Sequence, residues 1–379
     1  MYDAIILGLG GMGSAAAAHL AARGKRVLGL EQFTPAHDRG SSHGQSRMIR
    51  QAYFEDPAYV PMLLRAYELW AGLEQEVDVQ LFMRTGGLMV GRTDSPLVQG
   101  SIRSAKEHNL KHEVLNATEM ARRFPAVSPR DNEVALYEEP AGVLFPEACI
   151  RAHLQRATTL GADLRFETEV TLWESTPFQV AVTTAAGERF EAAHLVICAG
   201  AWLQQVASDL NLPLQVERNV VHWFQPRLRP ELFRPDKLPV YIVDRNQKFM
   251  LYGFPNIGES GIKAAFHHSE IYTTPQDVDR TVSEREVEDV REALADWLPA
   301  GTGKHIASSV CLYTLTPDLH FLIGRHPREE NVIIAGGFSG HGFKFCSVVG
   351  EIIADLVIEG ATFHEVRLFD PMRFVDRWT

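Results

Sequence analysis

The hydrophobic and polar positions at the start of the chain follow a strand, turn, helix, strand order. The apolar run over residues 4–7 predicts a short buried strand, and the Ala-rich residues 14–23 predict a helix. A glycine-rich turn lies between them, and Gly24 is suited to end the helix before a second strand at residues 27–30. These elements form a βαβ unit, which predicts a parallel sheet.

Two later apolar runs have the character of strands from the same sheet. Residues 195–202 run into a glycine, as do residues 331–337, and a helix is expected to follow from about Cys346 to Val357 and to end at Gly360. Because these pieces are scattered along the chain, we predict a nucleotide-binding domain that is interrupted by insertions.

The inserted segments have a different pattern. They contain alternating stretches, such as residues 86–90 and 248–254, that favour antiparallel strands. We therefore predict an α/β domain joined to an α+β domain with a large, mostly antiparallel sheet. The first domain is expected to comprise residues 1–80, 146–215 and 301–379, and the second residues 81–145 and 216–300.

The composition is that of a globular protein with an acidic balance. Apolar residues make up 45% of the 379 residues, and 48 acidic against 37 basic side chains give a formal charge of −11. This balance argues against nucleic acid or an anionic membrane as the main partner and favours a cytoplasmic protein. The apolar run near the N-terminus follows an aspartate and is interrupted by glycines, which argues against a signal peptide.

The four cysteines Cys149, Cys198, Cys311 and Cys346 lie far apart in the sequence. Their spacing matches no metal-binding motif, so no metal site is predicted. Such sparse cysteines fit a reducing compartment without structural disulfides.

The turn at the N-terminus matches the dinucleotide-binding motif GxGxxG. Gly8 permits the tight turn, Gly10 lets the backbone approach a pyrophosphate, and Gly13 lets the helix pack closely on the strand. Glu31 at the end of the second strand is placed to accept hydrogen bonds from a ribose, and the helix N-terminus favours the phosphate charge. The motif predicts dinucleotide binding but does not distinguish FAD from NAD.

Residues 41–50 carry a histidine and two arginines close together. Arg47 and Arg50 are three positions apart and, with His43, could stabilise an anionic reduced ring and bind a substrate carboxylate. A solvated basic loop is the structural alternative.

Two lysines lie in segments that also allow a structural interpretation. Lys344 lies in a glycine-rich loop that enters a helix and could pair with an acid, or it could be an exposed turn lysine. Lys263 lies in a strand-like stretch with His267 on the same face, where a lysine is most often solvated.

Taken together, these segments resemble the monomeric sarcosine oxidase and N-methyltryptophan oxidase family over almost the full chain. The motifs that carry the resemblance are residues 40–50, 252–255, Lys263, 311–314, 316–318 and 338–345. The resemblance implies an FAD-binding Rossmann-like domain and a catalytic domain whose antiparallel sheet covers the flavin. It also implies a monomer that acts on a small amino acid with O₂.

The resemblance assigns roles to individual residues. It implies a covalent bond between Cys311 and the flavin, with Cys346 as a buried thiol, and a substrate carboxylate held by Arg50 and Lys344. It implies that Lys263 assists the reaction with O₂, through a fixed positive charge that stabilises superoxide.

Other residues of the implied site share a position beside the flavin or the substrate. Basic residues beside the ring would be Arg47 and His43. Residues that line the substrate cavity would be Tyr252, His267, Tyr313 and Val243. Further cofactor-binding residues would be Ser42, Val170, Gly200, Gly340, Gly342, Phe343 and Lys344.

The implied reaction is oxidative demethylation of an N-methyl amino acid to the amino acid, formaldehyde and H₂O₂. Departures from the family pattern concern the substrate: Ser42 and Gln45 replace a histidine and an aspartate, and Val243 replaces a bulkier methionine. Glu31 also replaces an aspartate. A smaller residue at 243 would fit an amino acid larger than sarcosine, such as N-methyltryptophan.

Three other functions fit parts of the sequence. A related flavin oxidase would act on glycine, a cyclic imino acid or a D-amino acid. An NAD-dependent dehydrogenase would be colourless and consume no oxygen, and a silent flavin-binding subunit would be yellow without turnover.

Overall fold

The computed structural model of the protein describes residues 1–245, 248–258 and 260–377. The strands are β1 Tyr2–Leu7, β2 Val27–Leu30, β3 Arg47–Ile49, β4 Phe82–Arg84, β5 Gly87–Arg92, β6 Glu113–Asn116, β7 Glu133–Glu138, β8 Gly142–Leu144, β9 Asp163–Arg165, β10 Val170–Thr176, β11 Gln179–Thr184, β12 Arg189–Ile197, β13 Gln215–Phe224, β14 Val240–Asp244, β15 Met250–Phe254, β16 Ile262–His267, β17 Tyr272–Thr273, β18 His305–Leu315, β19 Leu322–Arg325 and β20 Val332–Gly336. The α-helices are α1 Gly11–Ala22, α2 Val60–Val77, α3 Pro96–Glu107, α4 Ala117–Arg123, α5 Pro146–Thr159, α6 Leu203–Val206, α7 Glu284–Trp297 and α8 Cys346–Ile358.

The first sheet is built around a parallel core in the order β9-β2-β1-β12-β20. On the edge of β12 away from β1, residues 189–192 pair with antiparallel β11, which continues into β10, and residues 195–197 pair with β20, which continues into antiparallel β19. The alternation of β1 separates two hydrophobic cores, because Ala4 and Ile6 pack with helices α1, α5 and α8 while Ile5 and Leu7 pack on the opposite face. The predicted βαβ unit, the two later strands and the long C-terminal helix are confirmed.

The second sheet is mostly antiparallel and runs in the order β17-β13-β16-β15-β14-β5-β7-β6, with β18 also paired to β13. Only the β14–β5 pair among these is parallel. Helix α7 packs on one face through Val290, Leu294 and Trp297. A small third sheet, β3-β8-β4, holds the segment of Arg47 between the two large ones. The α/β fold class is confirmed.

One strand of the C-terminal segment lies outside the first sheet. Residues 301–379 are expected in the nucleotide domain, but β18 pairs along its length with β13 of the second sheet. This pairing brings Cys311 onto the second sheet. The division into two domains itself remains a prediction, with this strand moved to the second one.

A search of the described residues for membrane-spanning helices found none that is both long enough and sufficiently apolar.

Candidate functional site

The turn after β1 is shaped by glycines that leave no room for a side chain. Gly8 has φ +87°, and a Cβ there would lie 2.6 Å from the carbonyl oxygen of Cys198. A Cβ on Gly13 would collide with the carbonyl oxygen of Gly8, so this glycine allows α1 to pack against the end of β1. A Cβ on Gly10 would meet no atom within 4 Å, which leaves open space in front of the helix N-terminus. The turn therefore presents free backbone N–H groups to an anion.

Glu31 closes the turn from the neighbouring strand. Its Oε2 accepts a hydrogen bond from the Leu9 N–H at 2.8 Å, and its Oε1 accepts one from the Phe33 N–H at 3.0 Å. The residue is 5% exposed, and burial raises the pKa of its carboxyl group. Each oxygen retains acceptor capacity for a ribose hydroxyl, so the position fits the predicted role.

A cavity of about 810 Å³ runs from this turn to the second sheet. Its wall contains most of the residues for which the sequence predicts a role: Gly8, Gly10, Glu31, Ser42, Arg47, Arg50, Val170, Gly200, Tyr252, His267, Cys311, Tyr313, Gly340, Gly342, Phe343 and Lys344. Gly13, His43 and Lys263 lie behind this wall, where each contacts a residue that lines it. An extended groove with a phosphate-binding turn at one end fits a dinucleotide.

Cys311 lies among positive charges at the far end of the cavity. Arg47 approaches the sulfur to 3.7 Å between Nη2 and Sγ, and His43 is close enough to hydrogen-bond it. Burial raises the pKa of the thiol, but His43, Arg47 and Lys263 together outweigh burial and lower it to about 6. A thiolate is the nucleophilic form of cysteine, so this position favours reaction with an electrophile.

Lys263 is buried, at 2% exposure, and makes no ion pair with a carboxylate among the described residues. Its ammonium donates to the carbonyl oxygens of Gly44 and Ser46 at 2.7 and 3.0 Å and to the Ser46 hydroxyl at 3.1 Å. Nζ also lies 5.3 Å from the Trp223 ring centre and 5.0 Å from that of Phe254. Burial and the charge of Arg47 lower its pKa to about 7. The interpretation as a solvated strand lysine is wrong.

Arg50 and Lys344 lie in the cavity wall around a carboxylate that no sequence motif marks. Arg50 Nη2 lies 2.6 Å from both oxygens of Glu55, and its Nη1 donates to the Ala52 carbonyl oxygen at 3.1 Å. Lys344 Nζ donates to the His341 carbonyl oxygen at 2.6 Å and lies 5.1 Å from the Tyr53 ring centre. Burial, with the charge of Arg50, lowers the pKa of Lys344 to about 7. Two cations therefore face one acid.

Aromatic side chains form the wall between the two charged ends. The ring centres of His267 and Tyr313 are 5.9 Å apart, and those of His267 and Tyr252 are 6.4 Å apart. Gly340, with φ +80°, has no room for a Cβ because the Tyr313 ring packs against it. Burial lowers the pKa of His267 to about 3, so its ring is neutral at physiological pH.

One predicted substrate residue faces away from the cavity. Val243 is buried in the hydrophobic cluster that contains Leu251 and Trp297, whereas its neighbour Ile242 lines the cavity. Successive residues of a strand point to opposite faces, so a displacement of one position moves the side chain to the other side of the sheet. The expectation for Val243 is corrected, because its side chain is buried away from the cavity, and its small size therefore does not indicate a larger substrate.

Several site residues carry no sequence signal. Glu55 lies five residues after Arg50 and could have been paired with it only if the turn between them were known.

Among the described residues, no group of three or more His, Cys, Asp or Glu side chains could hold a metal ion.

Comparison with known proteins gives a consistent result. The family described as FAD dependent oxidoreductase (DAO) matches residues 3–356. A monomeric sarcosine oxidase of Streptomyces avermitilis is 50% identical over 375 residues, which are 98% of this chain and 97% of that protein. An N-methyl-L-tryptophan oxidase of Yersinia pestis is 32% identical, over 98% of this chain and 99% of that one. A solved structure of a NikD variant, described as an unusual amino acid oxidase essential for nikkomycin biosynthesis, has a TM-score of 0.87 at 23% identity and covers 98% of this chain and 97% of its own.

Proposed function

The chain belongs to the FAD dependent oxidoreductase family, and on this premise we propose that it demethylates an N-methyl amino acid, with sarcosine as the first substrate to test. The observation that carries the proposal is one cavity that joins a dinucleotide turn to a pair of buried cations, Arg50 and Lys344. Relatives named sarcosine oxidase and N-methyl-L-tryptophan oxidase support the same class of substrate.

The residues around the turn fit the adenosine end of FAD. Gly8 and Gly10 leave the space, the N-terminus of α1 supplies N–H groups for the pyrophosphate, and Glu31 supplies acceptors for the ribose. FAD, when bound, would accept the two electrons released as the CH–NH unit of the amine loses its two hydrogens and becomes a C=N imine, and would pass them to O₂.

Arg50 and Lys344 hold the carboxylate of the substrate. A guanidinium makes two parallel hydrogen bonds to a carboxylate, and an ammonium adds a point charge. Tyr252, Tyr313 and the neutral His267 then enclose the amine without adding positive charge. This environment favours the neutral amine, which is the form that can be oxidised.

Lys263 assists the reaction with O₂ from behind the cavity wall. Its ammonium is held by three acceptors on residues 44 and 46, so a positive charge is fixed before the reaction begins. A preorganised charge stabilises the negative charge that develops on oxygen during electron transfer.

We further infer that Cys311 binds the flavin covalently. Cys311 would hold the flavin through a bond from its sulfur to the 8α-methyl carbon. Forming that bond would release one proton from the thiol, one proton from the methyl group and two electrons, which the bound flavin would pass to O₂ to give H₂O₂. The lowered pKa of Cys311 supports this step, because it raises the fraction of thiolate at neutral pH.

The complete reaction consumes sarcosine, O₂ and water and produces glycine, formaldehyde and H₂O₂. The test supplies sarcosine, N-methyltryptophan, glycine, proline and D-alanine separately to the yellow protein and measures H₂O₂ and formaldehyde. We expect both products from an N-methyl amino acid. H₂O₂ without formaldehyde, from glycine, proline or D-alanine alone, would replace the proposal with the related flavin oxidase.

The assembly and domain arrangement follow from the same resemblance. We propose a monomer, supported by the relative named monomeric sarcosine oxidase. We also propose two domains divided as the sequence predicts, except that β18 belongs with the second sheet.

A further inference from the structure

Two glutamates outside the cavity hold the segment that carries the site's positive charges. We propose that Glu147 and Glu138 are positioning residues, Glu147 for the Lys263 ammonium and Glu138 for the Arg50 guanidinium. The inference rests on the proposed function. It assigns Glu147 to the reaction with O₂ and Glu138 to binding of the substrate carboxylate.

The two glutamates flank a strand that already pairs with this segment. Strand β8 pairs antiparallel with β3, with Arg47 opposite Leu144 and Ile49 opposite Gly142. Glu138 precedes β8 and Glu147 follows it, so the same antiparallel alignment brings Glu147 to residues 44–45 and Glu138 to residues 51–52. The two carboxylates therefore bind the backbone N–H groups of this segment just beyond each end of the β3–β8 pairing.

Glu147 is connected to Lys263 through one peptide group. Its Oε1 accepts from the Gly44 N–H at 2.7 Å and from the Gln45 N–H at 3.1 Å. The carbonyl oxygen of Gly44, on the same peptide as the Gln45 N–H, accepts from Lys263 Nζ at 2.7 Å. A peptide held between an ammonium and a carboxylate is polarised by both, and each hydrogen bond strengthens the other.

Glu138 is connected to Arg50 in a similar way. Its Oε1 accepts from the Gln51 N–H at 2.9 Å and its Oε2 from the Ala52 N–H at 2.8 Å, and the residue is 1% exposed. The carbonyl oxygen of Ala52 accepts from Arg50 Nη1. Ala52 is thus held on one side by Glu138 while it orients the guanidinium on the other.

The two carboxylates differ in how they use their oxygens, and this predicts different tolerance to glutamine. Glu147 accepts both hydrogen bonds on one oxygen, so the amide oxygen of Glu147→Gln keeps the geometry and removes only the charge. Glu138 uses both oxygens, so Glu138→Gln places an NH₂ group against a backbone N–H. A donor that faces a donor in a buried site leaves both unsatisfied.

The test measures each half-reaction on the flavin-loaded protein. Reoxidation by O₂ is followed after reduction with dithionite, which does not depend on any amine. Substrate binding is followed through the dissociation constant of methoxyacetate, which has the shape and carboxylate of sarcosine but no amine. Glu139→Gln is the matched control, because Glu139 is an exposed neighbour of Glu138 that pairs with Arg84.

We expect Glu147→Ala to slow reoxidation about tenfold or more and to leave methoxyacetate binding within about twofold of the wild type. We expect Glu138→Gln to weaken methoxyacetate binding about tenfold or more and to leave reoxidation within about twofold. Equal effects of either variant on both measurements, or no effect on either, would overturn the proposal. If Glu147→Ala does not fold, Glu147→Gln carries the test through its pH profile.

In that profile, reoxidation requires protonated Lys263. Burial and the charge of Arg47 lower the pKa of Lys263, while the charges of Cys311 and Glu147 raise it. Reoxidation by Glu147→Gln should therefore decline at a lower pH than in the wild type, and an unchanged profile would contradict the role of Glu147. Hydrogen exchange at residues 44–45 should stay slow in Glu147→Gln and become fast in Glu147→Ala. A wild-type protein that neither sarcosine nor N-methyltryptophan reduces would refute the proposed function and leave the exchange and dithionite results to judge this inference.

Discussion

At the scale of single residues, buried cysteines of the same type have opposite chemistry. Burial raises the pKa of Cys346 well above the ordinary thiol value, and it raises that of Cys198 to about 12. Cys311 is equally buried, yet the charges of His43, Arg47 and Lys263 bring its pKa to about 6. The local charge, and not exposure, therefore selects the reactive thiol.

We expect Cys311→Ser to abolish covalent attachment of the flavin and Cys346→Ser to leave it intact, because only Cys311 has a lowered pKa. The measurement is precipitation with acid, after which the yellow colour should stay in the pellet of the wild type and of Cys346→Ser and pass to the supernatant in Cys311→Ser. Attachment to the apoprotein should also accelerate as the pH rises through about 6. Colour in the wild-type supernatant would contradict the linkage.

The acid beside Arg50 gives a second prediction at this scale. Both carboxylate oxygens of Glu55 contact Arg50 Nη2, so a substrate carboxylate must compete with Glu55 for this group. Glu55→Gln should lower the dissociation constant of methoxyacetate about tenfold, because the guanidinium is released from a charged partner. The exposed Glu107, paired with Arg103, provides the control Glu107→Gln. Weaker binding in Glu55→Gln would indicate that Glu55 orients the arginine.

Residues that belong to a motif can be predicted from the sequence, and residues that act through the fold cannot. The turn glycines, Cys311 and Lys344 are identifiable because a motif marks their positions. Glu138 and Glu147 carry no motif, since their function depends on the alignment of β8 with β3. The prediction for Val243 is wrong for a related reason, because the register of a strand decides which of two neighbours faces the cavity.

At the scale of elements, the local sequence pattern predicts those helices and strands whose formation depends on residues close together in the chain. The apolar run and the glycines are enough for β1, α1 and β2, because each buries a continuous face within a few residues. The sequence places residues 301–379 in the nucleotide domain and predicts no strand at 305–315, because the partner β13 of β18 lies far earlier in the chain and no local signal identifies it.

Two glycines of the β1–α1 turn have different roles, so substituting each one separates the effect on packing from the effect on FAD binding. Gly13→Ala should destabilise the protein with or without FAD by about 1–3 kcal/mol, because its Cβ collides with the backbone of Gly8. Gly10→Ala should leave the apoprotein as stable as the wild type, since nothing lies within 4 Å of the new Cβ, and should weaken FAD binding. Thermal unfolding of both apoproteins and titration with FAD provide the measurement. Equal stability of the two apoproteins would contradict the different packing of these glycines.

At the scale of the whole molecule, the site exists only where the two large sheets meet. The first sheet supplies the turn and Glu31, and the second supplies Lys263, His267 and Cys311. The fold also buries many titratable groups away from water. Among the described residues, burial lowers the pKa of five histidines to about 3 or 4, and these are distributed over both parts of the molecule: His19, His37, His222, His267 and His341.

These histidines make the folded state sensitive to mild acid. Below pH 6.5 these histidines are protonated in the unfolded chain, whereas in the folded protein they stay neutral until about pH 4. Their contribution to the free energy of unfolding is therefore fully present above pH 6.5 and is lost as the pH falls through this window. Each histidine contributes up to about 1.4 kcal/mol per pH unit. We expect the midpoint of thermal unfolding, followed by circular dichroism, to fall steeply from pH 7 to pH 5. His19→Gln removes one such group within helix α1 and should reduce the slope, whereas a midpoint that is constant over this range would show that the histidines are not neutral in the fold.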